Sequence, residues 1–597
     1  MPPRRSNSWY RQLRRALFGL YYRLKYLPFA AERRARREAQ QRGFIAIQID
    51  ALAHEDLQRA IRRGYMPRLK RLMERENWEL RRYPAGLPSA TPAAQAAIFY
   101  GTKARIPAFR WYEKELRRVV VGSKLESMQF IRDRLPIEGI LSGGSSYVNL
   151  YDGGAARAVF TLAARESRPF LEQVGGGRLL LLLALHPVRV LRMALSSVLE
   201  YLREERDRLL SQIRGQATFY WWYLPFLHIG TNVVLRELQT LAVLLDVYTG
   251  VPAIYTTFNA YDEFAHHFGP SASTSLKSLR ALDRRIGEIL RMTQRLPGRP
   301  YDVYILSDHG QTPSVPYRVE YGETLADTIL AAQQHGVKVL ASTGLYAPAR
   351  KAVDFLVHEL EEISATSTRP TRTFGLRLSR WIRSAYNPFP LFAENYRVAA
   401  EHRLVITYSS SLAHVYWTEP TQPLSFDEIR NHEQHRALYY FLVAHAGIGL
   451  VVTRMLDGAH IESTEGRALI TPDGEVTVLD GANPLRDYTE EPAGHRALAH
   501  LAQLPNSGDL VLVGAYDPLR DLCVCFDDQV GAHGALGGRQ FWPFTLTPPG
   551  LIPQSYVIED PLDLHPLFRR YPLEPSEPDV AAEAARYASG QPSASKR

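Results

Sequence analysis

The sequence has few cysteines, no apolar run long enough to cross a membrane, and no excess charge outside its amino-terminal segment. Its two cysteines, Cys523 and Cys525, are too few for a disulfide framework and occupy alternate positions of a predicted strand. We therefore expect reduced thiols and a reducing compartment. The most apolar run, residues 178–185, ends before His186 and Pro187. It is far shorter than the roughly 18 apolar residues that a transmembrane helix needs.

The charge of the chain is concentrated at its start. The 597 residues carry a formal net charge of +10. Residues 1–42 hold 12 lysines and arginines and two glutamates, so they account for the whole excess. A basic surface spread over the folded body is therefore excluded, and we expect no nucleic-acid partner.

Residues 8–25 have the pattern of a basic amphipathic helix. Apolar side chains recur at helical spacing, with arginines on much of the opposite side; they are Trp9, Leu13, Leu17, Leu20 and Leu24. Such a helix can lie on an anionic membrane surface, or it can pack on the body with a solvated basic face. Both interpretations stay open. Because the segment lacks the apolar core and cleavage site of a signal peptide, we expect a cytoplasmic protein, with peripheral membrane contact as the alternative.

Strands alternate with helices along most of the chain, which predicts an α/β fold with a central, mostly parallel sheet. The content of 45% hydrophobic and 22% charged residues is that of a globular protein with a sizeable core. We expect a basic arm, a core in three parts, two insertions that interrupt it, and a flexible tail. Their respective ranges are 1–42 for the arm, 43–164, 249–346 and 403–571 for the core, 165–248 and 347–402 for the insertions, and 572–597 for the tail.

A short stretch from Leu87 to Ala94 holds two candidate nucleophiles. Ser89 and Thr91 stand among small residues and prolines, just before a predicted helix. At a helix amino terminus the free N–H groups and the helix dipole favour an anion. An ordinary helix cap is the alternative for this pattern when it stands alone.

Acidic residues and histidines follow several predicted strands. Asp50 ends an apolar strand, and Asp308-His309 follows another. Asp262 and His266 are one helical turn apart, so that they can face one ion. Carboxylates and imidazoles without a nearby thiol suit a divalent ion, with Zn²⁺ favoured and Mn²⁺ or Mg²⁺ as alternatives. Each pair alone is also compatible with an ordinary ion pair or a loop cap.

These pieces resemble the alkaline phosphatase superfamily, in particular its type I phosphodiesterase/nucleotide pyrophosphatase branch. The matching motifs occur in the order of that family: a strand ending in Asp50, Pro88-Ser89-Ala90-Thr91 with a helix and Gly101 behind it, Asp262-x-x-x-His266 followed by Gly269-Pro270, Ser307-Asp308-His309-Gly310, and Ala532-His533-Gly534. The resemblance covers most of residues 43–345 and 403–545. It implies an alkaline-phosphatase-like sheet flanked by helices and interrupted by helical insertions.

The resemblance also implies a pair of metal ions and a set of roles for these residues. Asp50, Thr91, Asp308 and His309 would hold one metal. Asp262, His266 and His533 would hold the other. Thr91 matches the nucleophile position, Ser89 is the fallback, and His267 fits the ligand spacing less well than His266.

One position departs from the family pattern. The nucleotide pyrophosphatases carry an asparagine about twenty residues after the nucleophile, whereas this chain has Tyr112 near the equivalent place. Arg110 or Lys114 could take over its contact with a phosphoryl oxygen, which would favour a more highly charged phosphate. A sulfatase is disfavoured, because Thr91-Pro92-Ala93-Ala94 lacks the arginine of that branch.

The expected function is that of a metal-dependent hydrolase of phosphodiester or pyrophosphate bonds that works through a phosphothreonine. The first alternative is a phosphomonoesterase, or a lipid head-group phosphotransferase or hydrolase at the membrane surface. The second is a non-catalytic scaffold of the same fold. The expected partner is accordingly a small phosphate ester or a lipid head group.

Overall fold

The computed structural model describes residues 8–36, 41–103, 105–163, 183–213, 229–296, 298–333, 338–342, 377, 398–399 and 401–571. Most of the predicted insertion at 347–402 and the whole tail from residue 572 lie outside these ranges. So do the aromatic stretch 219–227 and most of the apolar run 178–185.

The described residues form 21 strands. They are β1 (Gly43–Ile49), β2 (Glu79–Arg82), β3 (Arg110–Glu113), β4 (Arg118–Val121), β5 (Ser145–Tyr147), β6 (Arg157–Val159), β7 (Ala253–Phe258), β8 (Tyr301–Leu306), β9 (Thr312–Pro316), β10 (Lys338–Ser342), β11 (His402–Ser409), β12 (Leu412–Trp417), β13 (Ile448–Arg454), β14 (Ala459–Glu462), β15 (Gly466–Ile470), β16 (Val476–Gly481), β17 (Leu510–Gly514), β18 (Tyr516–Asp517), β19 (Leu522–Cys525), β20 (Gly531–Ala532) and β21 (Phe544–Thr547).

The α-helices of the same ranges are α1 (Ser8–Lys25), α2 (Ala30–Arg36), α3 (His54–Arg62), α4 (Pro67–Glu76), α5 (Thr91–Tyr100), α6 (Leu125–Arg132), α7 (Pro187–Ile213), α8 (Arg236–Thr249), α9 (Ala260–Phe268), α10 (Ser273–Arg295), α11 (Tyr317–Tyr321), α12 (Leu325–Ala331), α13 (Phe426–Asn431), α14 (Glu433–Val443), α15 (Pro492–Gln503) and α16 (Leu564–Arg569). Short 3₁₀ turns and one π-helical segment, Ile229–Leu235, complete the helical structure described.

The main sheet has seven strands in the order β2-β21-β8-β1-β7-β5-β6. The five strands from β8 to β6 run parallel, and β21 and β2 add an antiparallel edge. This arrangement confirms the predicted mostly parallel α/β sheet. β1 lies in the middle of it and is buried along its whole length, as its unbroken apolar sequence predicts for a strand covered on both faces.

Helices cover both faces of the main sheet. On one face Ile45, Ile47 and Ile49 of β1 pack in a core with residues of α8 and α10. On the other face Phe44 and Ala46 join a second core that contains residues of α5 and α16. Alternate residues of one strand thus belong to two different cores, because successive side chains of a strand point to opposite faces.

The described strands between residues 338 and 514 form a second sheet rather than an extension of the first. Its eight strands lie in the order β10-β11-β12-β17-β13-β14-β15-β16, and only the β10–β11 pair is parallel. The sequence predicts several of these strands but not their separation from the main sheet. Of the described strands beyond residue 403, only β21 returns to the main sheet.

The carboxyl edge of the main sheet gathers the residues that the sequence singled out. β1 is flanked by β7 and β8, and all three strands run in the same direction. Asp50 therefore emerges beside the turn that follows each neighbouring strand. A small sheet pairs Ala532 of β20 with Thr312 of β9, which brings the late Gly-rich loop to the same edge. Open parallel sheets place their sites at this edge.

Within the described ranges, no helix is long and apolar enough to span a bilayer. Residues 8–25 form the expected helix, α1, and residues 187–213 and 236–249 are helical as predicted for this region. The boundaries proposed for arm, core parts and insertions stay predictions.

A buried ion pair ties the β3 segment to the second sheet. Lys114 Nζ donates to both carboxylate oxygens of Asp509, at 2.7 and 2.9 Å, and both side chains are buried. The backbone N–H groups of Trp417 and Leu424 also donate to Asp509. Burial lowers the pKa of Lys114 and raises that of Asp509, so each charge depends on the other.

We expect Lys114→Met to lower the free energy of unfolding by about 3 kcal/mol, because it leaves the buried carboxylate of Asp509 without its counter-ion. Urea denaturation would measure this loss. Lys70→Met is the matched control, since Lys70 is half exposed and pairs with Glu74 at 3.6 Å; little change is expected there. Equal stability of the two variants would contradict a structural role for Lys114.

Candidate metal centre

Thr91 stands at the first position of α5, at the carboxyl edge of the main sheet. Ala90 before it is extended, and Pro92 follows in the first helical turn. The rest of the helix is wholly buried and, apart from Gln95 and Tyr100, small or apolar. Proline suits this turn because its missing N–H would have no helical acceptor there. The Thr91 hydroxyl lies 3.2 Å from Asp50 Oδ1 and 3.3 Å from His309 Nε2. A hydroxyl thus sits at a positive helix end between two potential ligands.

Asp50, Asp308 and His309 form one group of potential metal ligands, here called the Asp50 group. One ligand atom from each of these residues lies within 4.8 Å of the others. All three side chains are buried, and they follow the adjacent parallel strands β1 and β8. Asp308 Oδ2 is buried without a hydrogen-bond partner, whereas Oδ1 accepts from the N–H of Ala51 at 3.3 Å. An orphaned carboxylate oxygen in such a place fits a cation.

Asp262, His266 and His533 form the Asp262 group, which meets the same distance criterion. Asp262 and His266 face each other across one turn of α9, with His266 Nε2 3.3 Å from Asp262 Oδ1. His533 comes from the Gly-rich loop after β20. The rings of His533 and His309 are stacked with centroids 4.3 Å apart, so the two groups adjoin.

The three histidines present the same ring nitrogen to the centre. The Nδ1 atoms of His266, His309 and His533 lie 2.7 to 3.0 Å from the carbonyl oxygens of Gly531, Gly310 and Ser89, respectively. Because a carbonyl only accepts, each Nδ1 carries the proton in these bonds. In the neutral form of each ring, Nε2 is then left with a lone pair, as metal coordination by an imidazole requires.

The loop that carries His533 is joined to the nucleophile stretch through Ser89. The Ser89 hydroxyl donates to the carbonyl of Ala535 at 3.0 Å and accepts from the N–H of Gly534 at 2.9 Å. Gly534 has φ of +110°, and a Cβ there would lie 2.5 Å from the carbonyl oxygen of Ser409, so only glycine fits. Ser89 is thus fully buried and engaged on both sides of its hydroxyl, while Thr91 faces the ligand groups.

Burial and mutual charge shift the pKa values of the ligand groups. Burial, with the charge of Asp262 nearby, raises the pKa of Asp308 to about 6. Burial also lowers the pKa values of His309 and His533, which favours their neutral, ligating form. Burial disfavours the charged forms of Asp262 and His266, but the attraction between their opposite charges outweighs this effect. The pKa of Asp262 therefore falls and that of His266 rises. A bound cation would take the place of the proton between them.

The ligand groups open into a cleft lined by further polar residues. Arg110 lines it together with Phe109, Asn259, Ser410 and Asp527. The Arg110 guanidinium donates from Nη1 to Asp527 at 3.1 Å and to the carbonyl of Tyr408 at 2.6 Å, and both side chains of the ion pair are buried. The sequence patterns did not single out Asn259 or Asp527. Asn259 follows β7 directly, so the strand-end pattern could have found it.

Ser89, Tyr112 and Lys114 are also predicted as substrate-binding residues, and the structure separates Arg110 from all three. The Ser89 hydroxyl is engaged by the Gly-rich loop. Tyr112 packs in the core, with its ring 5.6 Å from that of Tyr416, and the Lys114 ammonium is held by Asp509. Neither lines the cleft, and neither does His267, which is exposed on α9.

Comparison with known proteins gives one family match. Residues 222–390 match the model of the family described as Type I phosphodiesterase / nucleotide pyrophosphatase. The matched range contains four of the candidate ligands, namely Asp262, His266, Asp308 and His309. No curated protein matches the chain in sequence.

Several solved structures are similar at low sequence identity. Phosphonoacetate hydrolase from Sinorhizobium meliloti 1021 in complex with phosphonoformate is 14% identical, with a TM-score of 0.41, over 88% of this chain and 95% of that chain. Murine ectonucleotide pyrophosphatase / phosphodiesterase 5 is 11% identical, with a TM-score of 0.40, over 91% and 98% of the respective chains. An inactive variant of the murine protein in complex with AMP has a TM-score of 0.39 at the same identity and coverage.

The family match covers part of the chain, and the mostly parallel sheet carries adjoining ligand groups beside Thr91 at its carboxyl edge. Residues 222–390 are thus similar to the family described as Type I phosphodiesterase / nucleotide pyrophosphatase.

Proposed function

We propose that this protein is a metal-dependent phosphoesterase that hydrolyses phosphodiester or pyrophosphate bonds through a phosphothreonine at Thr91. The observation that carries the proposal is the position of the Thr91 hydroxyl. It lies within hydrogen-bonding distance of Asp50 and His309, at the start of a buried helix. The second ligand group adjoins the first through His309 and His533.

The charge of the cleft supports metal dependence. Four carboxylates line it, those of Asp50, Asp262, Glu263 and Asp527, whereas Arg110 is its one lining arginine or lysine among the described residues. An anionic phosphate ester would be repelled by such a surface. Divalent cations on the Asp50 and Asp262 groups would reverse the sign of the local charge. The carboxylate and imidazole donors favour Zn²⁺, with Mn²⁺ or Mg²⁺ as alternatives.

In the proposed mechanism, Thr91 Oγ1 attacks the phosphorus atom while the bond from phosphorus to the departing oxygen breaks. The hydroxyl proton passes toward Asp50 Oδ1, the acceptor 3.2 Å away. The product of this step is a phosphate ester of Thr91 and a free alcohol or phosphate. The proton held by Asp50 then passes to the departing oxygen. In the second step water attacks the same phosphorus, the bond from phosphorus to Thr91 Oγ1 breaks, and the proton that water loses passes to Oγ1, so that inorganic phosphate or a monoester leaves. Bound divalent ions would lower the pKa of the attacking hydroxyl and neutralise charge on the phosphoryl oxygens.

Arg110 favours phosphomonoesters, one of the alternative substrate classes, because a guanidinium can pair with their extra negative charge. Its ion pair with Asp527 offsets that advantage, since the buried pair has no net charge. Arg110 therefore adds hydrogen-bond donors to the cleft more than it adds positive potential. For this reason we place diesters and pyrophosphates first, and monoesters second.

We expect Thr91→Ala to reduce hydrolysis of bis(p-nitrophenyl) phosphate by about a thousandfold or more, because the covalent intermediate can no longer form. The conservative variant Thr91→Ser should retain part of the activity, and mass spectrometry of the quenched wild-type enzyme should find phosphate on the Thr91 peptide. Ser89→Ala is the matched control, expected to lose stability rather than the phosphorylated peptide. Absence of turnover in the wild-type, metal-loaded protein would favour the scaffold alternative.

Metal content gives an independent test. We expect about two equivalents of divalent metal per chain, and about one in His266→Asn, because that variant removes a ligand from the Asp262 group alone. Inductively coupled plasma mass spectrometry measures the content. His267→Asn is the control, since the neighbouring imidazole is exposed and should leave the content unchanged. Chelation should abolish hydrolysis, and Zn²⁺ should restore it; full activity of the metal-free protein would contradict the proposal.

The role of Arg110 is tested by comparing two substrates. We expect the wild-type enzyme to have a higher kcat/KM for bis(p-nitrophenyl) phosphate than for p-nitrophenyl phosphate. Arg110→Gln should lower the value for the monoester about tenfold more than that for the diester, because a charge-assisted bond to the extra anionic oxygen is lost. A wild-type preference for the monoester would instead support the phosphomonoesterase.

A further inference from the structure

Two helices far from the cleft carry an unusual share of exposed apolar side chains. Of the 27 exposed large hydrophobic residues found in the described ranges, 13 lie in residues 17–27 and 188–209. Scattered exposed leucines need no explanation, but a concentration of this kind marks an interaction surface.

Helix α1 turns its apolar side chains to solvent on one face. Leu17, Leu20 and Leu24 are 57%, 53% and 65% exposed. Phe18 and Tyr22, on the opposite face of the helix, pack against the core of the main sheet. The protein thus buries one apolar face of α1 and leaves another uncovered.

Helix α7 has a similar uncovered face. Leu191, Leu195, Val198 and Leu202 recur at intervals of three or four residues, and each is more than half exposed. Toward the body, Arg189 pairs with carboxylates of the neighbouring helices, at 2.7 Å from Glu237 and 2.6 Å from Glu288. This helix is therefore attached by polar contacts at its start, while Leu191, Leu195 and Leu202 remain in solvent.

The two apolar faces belong to one region of the protein. Tyr26, directly after α1, lies 3.2 Å from Nε2 of His186, directly before α7. Both helices also contact α10: the Arg295 guanidinium stacks over Phe18, and Arg189 pairs with Glu288. We call the exposed side chains of α1 and α7 the docking surface; its main members are Leu17, Leu20, Leu24, Leu191, Leu195 and Leu202.

The docking surface is remote from the candidate metal centre. Tyr26 packs against Tyr248, which precedes β7, and Arg295 precedes β8. These contacts lie toward the amino-terminal ends of the parallel strands, whereas Asp50 and Asp308 follow their carboxyl ends. A partner on this surface would leave the cleft open.

The charge of the chain indicates what that partner is. Residues 1–42, which include α1, carry 12 lysines and arginines and two glutamates, whereas the rest of the chain is neutral overall. A partner that accepts leucine side chains and also attracts positive charge must be apolar inside and anionic at its surface. We propose that the docking surface holds the protein on a bilayer that contains anionic phospholipid, with α1 and α7 lying in the interface.

This proposal is independent of the phosphoesterase activity, and its test uses vesicles. The full-length protein should co-sediment with vesicles of phosphatidylcholine and phosphatidylglycerol in equal parts, and much less with phosphatidylcholine alone. Raising the salt from about 0.1 to about 1 M should weaken binding about tenfold, because it shortens the Debye length to about 3 Å.

The triple variant L17Q/L20Q/L24Q should bind the anionic vesicles about a hundredfold more weakly, since three side chains can no longer enter the apolar layer. The matched control L456Q/L519Q/V557Q removes three apolar residues elsewhere that are even more exposed, and it should bind normally. Circular dichroism and hydrolysis of a soluble diester verify that each variant is folded. If the triple variant is unstable, the single variant Leu20→Gln should still weaken binding about fivefold.

Equal binding of the triple variant and the control would overturn the proposal, as would failure of the wild-type protein to bind anionic vesicles. Sedimentation velocity tests whether a second copy of the chain occupies the docking surface instead. A concentration-dependent dimer that is lost in the triple variant, without vesicle binding by the wild type, would assign the surface to a second copy of the chain.

Discussion

The crowding of carboxylates at one edge of the main sheet is the constraint on which the rest of the site depends. Asp50 and Asp308 follow neighbouring parallel strands, and both are buried. Like charges at such distances in a buried place are unfavourable unless protons or cations compensate them. Burial first, and then the charge of Asp262, raise the pKa of Asp308, and its Oδ2 is buried without a hydrogen-bond partner; both are signs of that cost. Cations bound at the two proposed sites would relieve it, and the same cations would attract the phosphate ester of the proposed reaction, which the carboxylates alone would repel.

The surrounding structure keeps this arrangement in place before any ligand arrives. Backbone carbonyls orient the three histidines through Nδ1, so the lone pairs at Nε2 face the centre. Ser89 connects the start of α5 to the loop of His533, although the two segments are about 440 residues apart in the chain. Thr91 and its ligand groups therefore occupy fixed relative positions, as attack on a bound phosphoryl group requires.

Local patterns were sufficient to predict most of the candidate ligands. Asp50 and Asp308 follow apolar runs that only a buried parallel strand explains, and Asp262 and His266 have the spacing of one helical turn. Hydroxyl chemistry at a helix start likewise singled out Ser89 and Thr91. Local patterns could not choose between these two hydroxyls. That choice came from the family resemblance, and the structure adds the reason: Ser89 makes both its hydrogen bonds to the Gly-rich loop.

The sequence by itself determined the elements, the basic amino-terminal segment and the residue types at each strand end, because these depend on composition and on short periodicities. The tertiary structure decided which side chains contact each other. Arg110 and Lys114 are four residues apart and equally basic, yet one lines the cleft with Asp527 while the other is buried against Asp509. Their partners lie roughly 400 residues along the chain, Asp509 just before β17 of the second sheet and Asp527 just after β19 of a separate small sheet, and no local pattern predicts either pairing. Long-range pairing of buried charges determined the roles of Arg110 and Lys114, because a buried guanidinium or ammonium must lie beside a carboxylate.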